Sequence, residues 1–386
     1  MMESLENSFV LFCAGEDSGD ILGETLVETA VQAGFAAYGS GGVRMIAAGL
    51  LPVVDFEHLP VSGFGDVLRN GKILRDDFEK MREALRDERC VAFVAIDYPG
   101  FNMKLVEQAK KFRKPVLYVA PPQIWAWKSN RAKRLRGIPL AVFFDFEMEA
   151  YRRFGCDVRL MRHPLMDADV AQEPHTAESG DVILLPGSRL EQASRNLEAF
   201  LKTAVEASPR GGRVTVFAVR DSLVARFTEI ISRMALDESR CKVLVEKADE
   251  CASARLARYS KASLALVCPG TATLEVALAG SPMVICTKPD ALTFVLGKLL
   301  VRSRFFGLPN LIAHEKKFEE FIASPFASEN SWRAKLAELC RKEKERAKEN
   351  PATGVAESLR SKLSGGASAR ELMLEFLGEF VKCQAH

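Results

Sequence analysis

The amino-acid sequence predicts an α/β protein made of two doubly wound domains in tandem, each with a parallel sheet covered by helices. Short runs dense in Val, Ile, Leu and Phe alternate with amphipathic stretches in both halves of the 386-residue chain, which is the element order of such domains. The runs lack the strict alternation of a sheet with one wet face, so both faces should be buried. A polar, proline-containing stretch at about 165–178 separates the halves and indicates a domain boundary.

The first half, residues 1–165, supplies the first predicted domain. Its apolar runs are SFVLFCAG, CVAFVAID, KPVLYVAP and AVFFDF. Residues 20–33 follow the first run and repeat apolar side chains at the spacing of a helix face, namely Ile21, Leu22, Leu26, Ala30 and Val31. We therefore predict strands joined by crossover helices, and hence a parallel sheet.

The second half, residues 166–335, repeats the same order. Its apolar runs are DVILLPGS, RVTVFAV, CKVLVE, ASLALVCPGT and SPMVICT. Beyond about residue 330 the chain is rich in Lys, Arg, Glu and Ala, with Leu at helical intervals. We expect residues 336–386 to form helices that pack back on the domains, with SGGASA (364–369) as a flexible break between them.

Composition excludes several classes of protein. The net charge of +2 gives no strong overall attraction to nucleic acid. The nine cysteines show no C-x-x-C spacing, so we predict buried thiols in a reducing compartment. Residues 1–8 lack the apolar core of a secretory signal, and the apolar stretch 263–286 is interrupted by Pro269, Glu275 and Pro282. We expect a cytoplasmic protein with no membrane-spanning segment.

Ligands of doubly wound domains bind where strands end, so the loops after strands are the candidate sites. The loop AGEDSGD (14–20) offers Glu16, Ser18 and Asp20, although the same residues suit a plain capped turn. Asp97 ends the apolar run 91–96. It is a candidate general base, and by itself an equally good loop residue that bonds its own backbone before Pro99.

Two loops of the second domain have the composition of phosphate sites. LLPGSRLEQ places Ser188 and Arg189 after a strand, and CPGTATLEVA places small residues between a strand and a helix that contains Glu275. Small residues let backbone N–H groups approach a phosphate, and the guanidinium of an arginine can bind a diphosphate. Two such loops in one domain favour a nucleotide-diphosphate site, with the small residues Gly270, Thr271 and Ala272 at the phosphate and Glu275 at the ribose.

Competing motifs are incomplete. GSGGVR (39–44) carries Arg44 where a dinucleotide fingerprint needs its third glycine, and no P-loop motif occurs. The D-A-D at 167–169 lies in the expected linker, and the five histidines have no metal-ligand spacing. We predict no metal site and no cofactor.

The segment PPQIWAWKSNRAKRLR (121–136) joins two tryptophans to a cluster of cations. This composition favours docking on a membrane or an anionic lipid. A solvated basic helix face with buried tryptophan is the alternative, and nucleic acid ranks third because no nucleic-acid motif accompanies the charge. The candidate lipid-contacting residues are Trp125, Trp127, Lys128, Arg131, Lys133 and Arg134.

Six motifs together resemble the lipid-A-disaccharide synthase family, in order from about residue 9 to about residue 325. They are AGEDSGDILG, IDYPGFN, YVAPPQIWAW, LLPGSR, PGTATLE and LPNLIA. The resemblance implies a GT-B architecture: two Rossmann-like domains facing a cleft, with C-terminal helices crossing back. It implies an inverting glycosyltransferase that joins UDP-2,3-diacylglucosamine to 2,3-diacylglucosamine 1-phosphate by a β(1→6) bond and releases UDP. A catalytically silent sugar-nucleotide or lipid-binding relative and a UDP-sugar epimerase of the same fold are the alternatives.

The resemblance also implies roles for individual residues. Asp97 takes the proton of the acceptor 6-hydroxyl, while Glu16, Ser18 and Asp20 line the active site. UDP is held by Arg189 with its neighbour Ser188, and by Gly270, Thr271, Ala272, Glu275 and Asn310. The segment from Phe64 to Leu74 and the Trp-basic stretch face lipid, which implies a peripheral protein on the cytoplasmic face of the inner membrane, with a homodimer as a further expectation. Gln192, Arg162, His314 and Ala323 depart from the family pattern.

Overall fold

The structure, a computed structural model, divides the chain into two compact units. One comprises Met1–Pro164 with Ser364–His386, and the other comprises Leu165–Leu363. The residues that it describes are 8–59, 64–126, 129–166, 181–234, 236, 239–248, 251–300, 303–349 and 352–383.

The first unit contains a seven-stranded sheet in which all the paired strands are parallel. Its strand order is β3-β2-β1-β4-β5-β6-β7, and the order therefore reverses between β1 and β4. The strands are β1 (Phe9–Cys13), β2 (Ala36–Ser40), β3 (Leu50–Pro52), β4 (Cys90–Ile96), β5 (Val116–Val119), β6 (Leu140–Val142) and β7 (Val158–Leu160). The helices are α1 (Asp17–Gln32), α2 (Val43–Ala47), α3 (Phe64–Arg86), α4 (Pro99–Lys111) and α5 (Asp145–Arg152).

The second unit repeats this topology with six strands in the order β10-β9-β8-β11-β12-β13, again parallel. The strands are β8 (Val182–Leu185), β9 (Gly212–Ala218), β10 (Cys241–Lys247), β11 (Leu264–Val267), β12 (Met283–Thr287) and β13 (Glu319–Ile322). The helices are α6 (Leu190–Ala207), α7 (Asp221–Ser232), α8 (Ala252–Tyr259), α9 (Thr271–Leu278), α10 (Ala291–Leu300), α11 (Leu308–Ala313), α12 (Glu329–Glu349) and α13 (Ala352–Leu363). Its strand order reverses between β8 and β11.

Strand burial explains why the apolar runs are continuous. Every residue of the central strands β1, β8 and β11 is buried, since helices cover both faces of a parallel sheet. Edge strand β10 is only partly buried and carries the charged residues Lys242, Glu246 and Lys247, which is typical of an exposed sheet edge. Four cysteines of the apolar runs, Cys13, Cys90, Cys268 and Cys286, are buried free thiols, as predicted.

The last helix, α14 (Ala369–Cys383), returns to the first unit and packs on α1. The Arg162 N–H donates to the Ala367 carbonyl over 2.8 Å, and Arg370 bonds Gln32 of α1 over 2.7 Å. The SGGASA segment does break the helical tail, but its glycines serve close packing as well. A Cβ at Gly366, whose φ is 87°, would lie 2.3 Å from the Leu160 carbonyl oxygen, so only glycine fits there.

Within the described ranges, no helix is both long enough and apolar enough to span a bilayer.

Candidate active site

The four loops singled out in the sequence follow β1, β4, β8 and β11. In each unit the two strands concerned are neighbours, and they lie where the strand order reverses. That reversal opens a crevice at the carboxyl edge of a doubly wound sheet, where ligands bind. Each unit therefore presents one candidate site, built from two loops.

The loop after β1 begins helix α1. Glu16 is the N-cap residue, and its side chain makes no capping hydrogen bond. Glu16 and Ser18 are both half-buried. They lie at the carboxyl edge, where the sequence predicts contacts to substrate.

Asp20 differs from its two neighbours because it is buried and committed to the protein. One carboxylate oxygen accepts the Arg44 N–H and the other the Met45 N–H, each over 3.1 Å, at the start of α2. Burial is the main cause of the raised pKa of this carboxyl, and the backbone donors oppose the rise. Asp20 thereby fixes the loop after β2, and its contact with substrate stays a prediction.

Asp97 follows β4 in a left-handed backbone conformation with φ of 47°, and Tyr98 has φ of 45°. Non-glycine residues rarely adopt this conformation, which persists only where neighbours enforce it. The Asp97 N–H donates to the Val119 carbonyl over 2.9 Å. Its carbonyl accepts the Tyr118 hydroxyl over 2.9 Å and the Asn102 amide over 2.9 Å. The backbone of the predicted base is therefore fixed on both sides.

Asn102, which the sequence-based predictions do not include, is a buried residue that supports this edge. Its amide nitrogen also donates to the carbonyls of Cys13 over 3.0 Å and Ile96 over 3.2 Å, so it ties together the ends of β1 and β4. The signal in the sequence is the motif IDYPGFN, which contains Asn102. In the structure Asn102 is a fully buried polar residue on the inward face of α4.

The Tyr98 ring packs closely on Gly15, so that a Cβ at Gly15 would lie 2.3 Å from the ring.

In the second unit, the loop after β8 presents arginines. Gly187 has φ of 123°, and half-buried Arg189 is the N-cap residue of α6. Arg220, the N-cap residue of α7, donates from its guanidinium to the Ser188 carbonyl over 3.0 Å. The sequence analysis missed Arg220, which follows strand β9 in the same way that Arg189 follows β8.

The loop after β11 presents a helix start. Gly270 has φ of 152° and precedes α9, whose first residues Thr271 and Ala272 are half-buried. A Cβ at Gly270 would meet no atom of the described residues within 4 Å, so there is open space beside this residue at the start of α9. Because β8 and β11 are neighbours, two helix starts and the two arginines share one edge, which is an environment suited to a diphosphate.

Two residues predicted to contact the nucleotide, Glu275 and Asn310, are buried and bonded within the protein. Glu275 is buried, and its carboxylate pairs with the Arg255 guanidinium at 2.7 Å. Asn310 is fully buried, accepts the N–H groups of Lys317 and Phe318 over 2.7 and 2.9 Å, and donates to the Phe318 carbonyl over 2.9 Å. Both side chains thus have partners within the protein, and their contacts with the nucleotide stay predictions.

Gln192, one of the residues that depart from the family pattern, makes a structural hydrogen bond. Its amide donates to the Thr287 hydroxyl over 3.2 Å. Asn196, one turn further along α6, donates to the Pro186 carbonyl and accepts the Lys288 N–H, each over 2.9 Å. Helix α6 thereby holds the ends of β8 and β12 together.

The Trp-basic stretch is partly engaged with the first unit. The Trp125 indole N–H donates to the Glu147 carboxylate over 3.4 Å. The Trp125 ring packs edge-on against Phe146, with the ring centroids 5.2 Å apart. Arg134 bonds Glu107 over 2.8 Å, Lys133 is exposed and Arg131 is half-buried. Trp127, Lys128 and the side chains of residues 64–70 lie outside the described residues.

No cluster of three or more metal-ligating side chains occurs in the part of the chain that the structure describes. Asp167 and Asp169 lie outside it.

A seven-stranded parallel sheet of order 3-2-1-4-5-6-7 and a six-stranded one of the equivalent order 3-2-1-4-5-6, each with candidate loops at its point of reversal, are consistent with the GT-B fold that the sequence predicts. Solved structures share this fold, with TM-scores of 0.52 for sucrose-phosphate synthase from Thermosynechococcus elongatus and 0.51 for spinosyn forosaminyltransferase. Sequence identity to them is 12% and 15%, and the matches cover 98% of this chain with 99% and 100% of the respective structures.

The chain belongs to the lipid-A-disaccharide synthetase family, whose sequence model matches residues 10–369. A relative named lipid-A-disaccharide synthase from Syntrophus aciditrophicus is 32% identical over 337 residues, covering 82% of this chain and 85% of the relative. One from Geobacter metallireducens is 31% identical over 407 residues, covering 98% and 100%. The chain is thus a glycosyltransferase of lipid A biosynthesis, and the alternatives of a silent binding protein and an epimerase are not favoured.

Proposed function

We propose that the chain transfers 2,3-diacylglucosamine from its UDP derivative to the 6-hydroxyl of 2,3-diacylglucosamine 1-phosphate. The observation that carries this proposal is the doubly fixed left-handed backbone of Asp97 at the reversal point of the first sheet. Such a conformation costs about 1–3 kcal/mol, and buried partners hold it here. It places Asp97 at the edge of the sheet where an acceptor would bind.

In the proposed reaction, the Asp97 carboxylate takes the proton from the acceptor 6-hydroxyl. The oxygen forms a bond to the anomeric carbon as the bond from that carbon to the diphosphate breaks, which inverts the anomeric centre. The leaving UDP carries away the electron pair of the broken bond. Arg189, Ser188 and the first N–H groups of α6 and α9, at Thr271 and Ala272 in the latter, stabilise the charge that develops on the diphosphate.

Because these groups supply the positive field, we propose that turnover needs neither a cofactor nor a divalent ion. The test is activity in excess chelator. Full loss in chelator, restored by magnesium or manganese, would contradict the proposal and return attention to Asp167 and Asp169.

We also propose that the protein works as a peripheral protein on the cytoplasmic face of the inner membrane, since both proposed substrates carry acyl chains. Cations near an anionic surface contribute about 1 kcal/mol each, and salt screens them. Replacing Arg131, Lys133 and Arg134 by Glu should release the protein from anionic vesicles, as should high salt. A triple Glu variant of three other exposed cations of the same unit, Lys104, Lys111 and Arg152, is the matched control. Equal sedimentation of all three proteins would show that the stretch is a solvated face.

The decisive experiment incubates purified protein with both lipid substrates and measures UDP and disaccharide. Production of both by the native chain, and of neither by the Asp97→Asn variant, is the expected result. UDP binding without disaccharide would identify a silent sugar-nucleotide-binding relative, and interconversion of the UDP-sugar alone would identify an epimerase.

A further inference from the structure

Helix α5 holds the loop that follows β5 at two points. Its residues Glu147 and Tyr151 lie one turn apart and are both buried. The Tyr151 hydroxyl donates to the Pro122 carbonyl over 2.6 Å, and Glu147 accepts the indole N–H of Trp125 over 3.4 Å. Residues four apart share one face of a helix, so this face of α5 is a clamp on the loop.

The clamped loop is continuous with the residues that fix Asp97. Strand β5 ends at Val119, whose carbonyl accepts the Asp97 N–H over 2.9 Å. The next residue, Ala120, has φ of 51° and donates its N–H to the Ala141 carbonyl over 2.9 Å. Strands β4 and β5 are neighbours, so the loop from Pro121 to Ala126 starts beside Asp97.

We propose that Glu147 is a positioning residue for the reaction, which holds the indole of Trp125 and thereby the loop that starts beside Asp97. The inference rests on the proposed function. The Glu147 carboxylate accepts the Trp125 indole N–H and the Phe143 N–H, and it acts on the base through the loop and through charge.

The surroundings of Glu147 make its ionisation matter near neutral pH. Burial raises its pKa to about 7, and the negative charge of Asp97 adds to the rise, whereas the Trp125 indole and the N–H groups of Phe143 and Phe144 oppose it. Tyr151 faces it from its own helix. The charge of Arg131 acts on both Tyr118 and Tyr151. The His163 ring lies tilted against Phe143, with the ring centroids 4.8 Å apart.

The indole N–H binds an ionised carboxylate more strongly than a neutral acid. The environment of Trp125 should therefore change as Glu147 titrates. The chain has three tryptophans, so variants can assign the fluorescence signal.

The experiment compares the native chain with Glu147→Gln, Trp125→Phe and the double variant. Glu149→Gln is the matched control, because Glu149 lies on the same helix with its side chain 67% exposed. We expect kcat to fall about 10- to 100-fold in each single variant, as a misplaced catalytic loop causes, while UDP affinity stays within about twofold. The kcat of the double variant should be no lower than that of either single variant, because both substitutions remove the same contact between Glu147 and Trp125.

The spectroscopic arm is independent of turnover. Native tryptophan fluorescence should titrate between about pH 6 and 8, and this transition should be absent in Glu147→Gln and in Trp125→Phe but present in Glu149→Gln. A transition that survives in Glu147→Gln, or kcat losses that multiply in the double variant, would overturn the proposal. If the native chain made no disaccharide while the transition behaved as expected, the Glu147 contact would stand and the proposed function would fail. Circular dichroism checks that each variant is folded.

Discussion

The carboxyl edges of the two sheets share one topology but are built in opposite ways. In the first unit, left-handed non-glycine residues Asp97, Tyr98 and Ala120 are held by buried side chains, among them Asn102 and Tyr118. In the second unit, the loops after β8 and β11 use glycines with positive φ. Arginine N-caps and an open helix start face that edge.

The difference fits the roles that we propose for the two edges. A general base works only if one carboxylate is held within a few tenths of an ångström of its productive position, and that demands a rigid network of buried partners. A diphosphate is bound by several N–H groups and charges at once, which demands that backbone be accessible. The first edge is thus built for one side chain and the second for a ligand.

The sharpest test of this contrast is Asp97→Asn. Turnover should fall about 10²- to 10⁴-fold, the usual effect of losing a general base, while UDP affinity stays unchanged because the second unit is untouched. Initial rates and UDP titration measure the two effects. Asp87→Asn, at the amino end of β4, is the control. A near-native rate for Asp97→Asn would remove this residue from the base role.

The buried ionisable groups of the first edge should also leave a signature in stability. Burial lowers the pKa of His163 from 6.5 to about 4, so its folded state binds the proton less tightly. That contribution to stability is present above about pH 6.5 and is lost as pH falls through about 4. Glu147 has the opposite sign: its pKa rises from 4.5 to about 7, so its contribution is present below about pH 4.5 and is lost as pH rises through about 7.

Each group changes the free energy of unfolding by up to about 3 kcal/mol across its pH range, because its pKa differs by roughly 2.5 between the folded and unfolded states. Urea unfolding of Glu147→Gln and His163→Gln across pH 4 to 8 separates the two. Relative to the native chain, Glu147→Gln should gain stability as pH rises, and His163→Gln should gain it as pH falls. Parallel curves for the three proteins would show that neither group is desolvated as its burial indicates.

At the second edge, Arg189→Ala should weaken UDP binding about 10- to 100-fold. A hydrogen bond to a charged group contributes about 1.5–3 kcal/mol, and the loss should appear in the dissociation constant measured by UDP titration. Arg210→Ala is the control, because Arg210 is exposed in the turn that precedes β9, at the opposite end of the sheet. Equal affinity in the two variants would mean that the diphosphate is bound elsewhere.

The positions of the candidate loops could be predicted from the sequence, but the hydrogen-bond partners of the residues within them could not. All four candidate loops fall at the two reversal points, because apolar runs and turn residues are local signals. The predicted ligand contacts include Asp20, Glu275 and Asn310. In the structure, Asp20 bonds a residue 24 positions along the chain, Glu275 pairs with one 20 positions away, and Asn310 bonds residues 7 and 8 positions away. Tertiary pairing of that kind is invisible in a single sequence, as is the reach of Glu147 to Trp125.

Arg220 offers the smallest and finest test, because it supports the phosphate loop rather than belonging to it. Its guanidinium holds the Ser188 carbonyl over 3.0 Å, and Ser188 lies between Gly187, whose positive φ gives the loop little rigidity of its own, and Arg189. Arg220→Met keeps the length of the side chain but removes the donor, so UDP affinity should fall about 3- to 10-fold, the value of one hydrogen bond of about 1 kcal/mol. Arg220→Lys should recover part of the loss. If Arg220 acted only through Ser188, then Arg220→Met would cost much less in an Arg189→Ala background; if the two losses multiply, Arg220 binds the diphosphate directly.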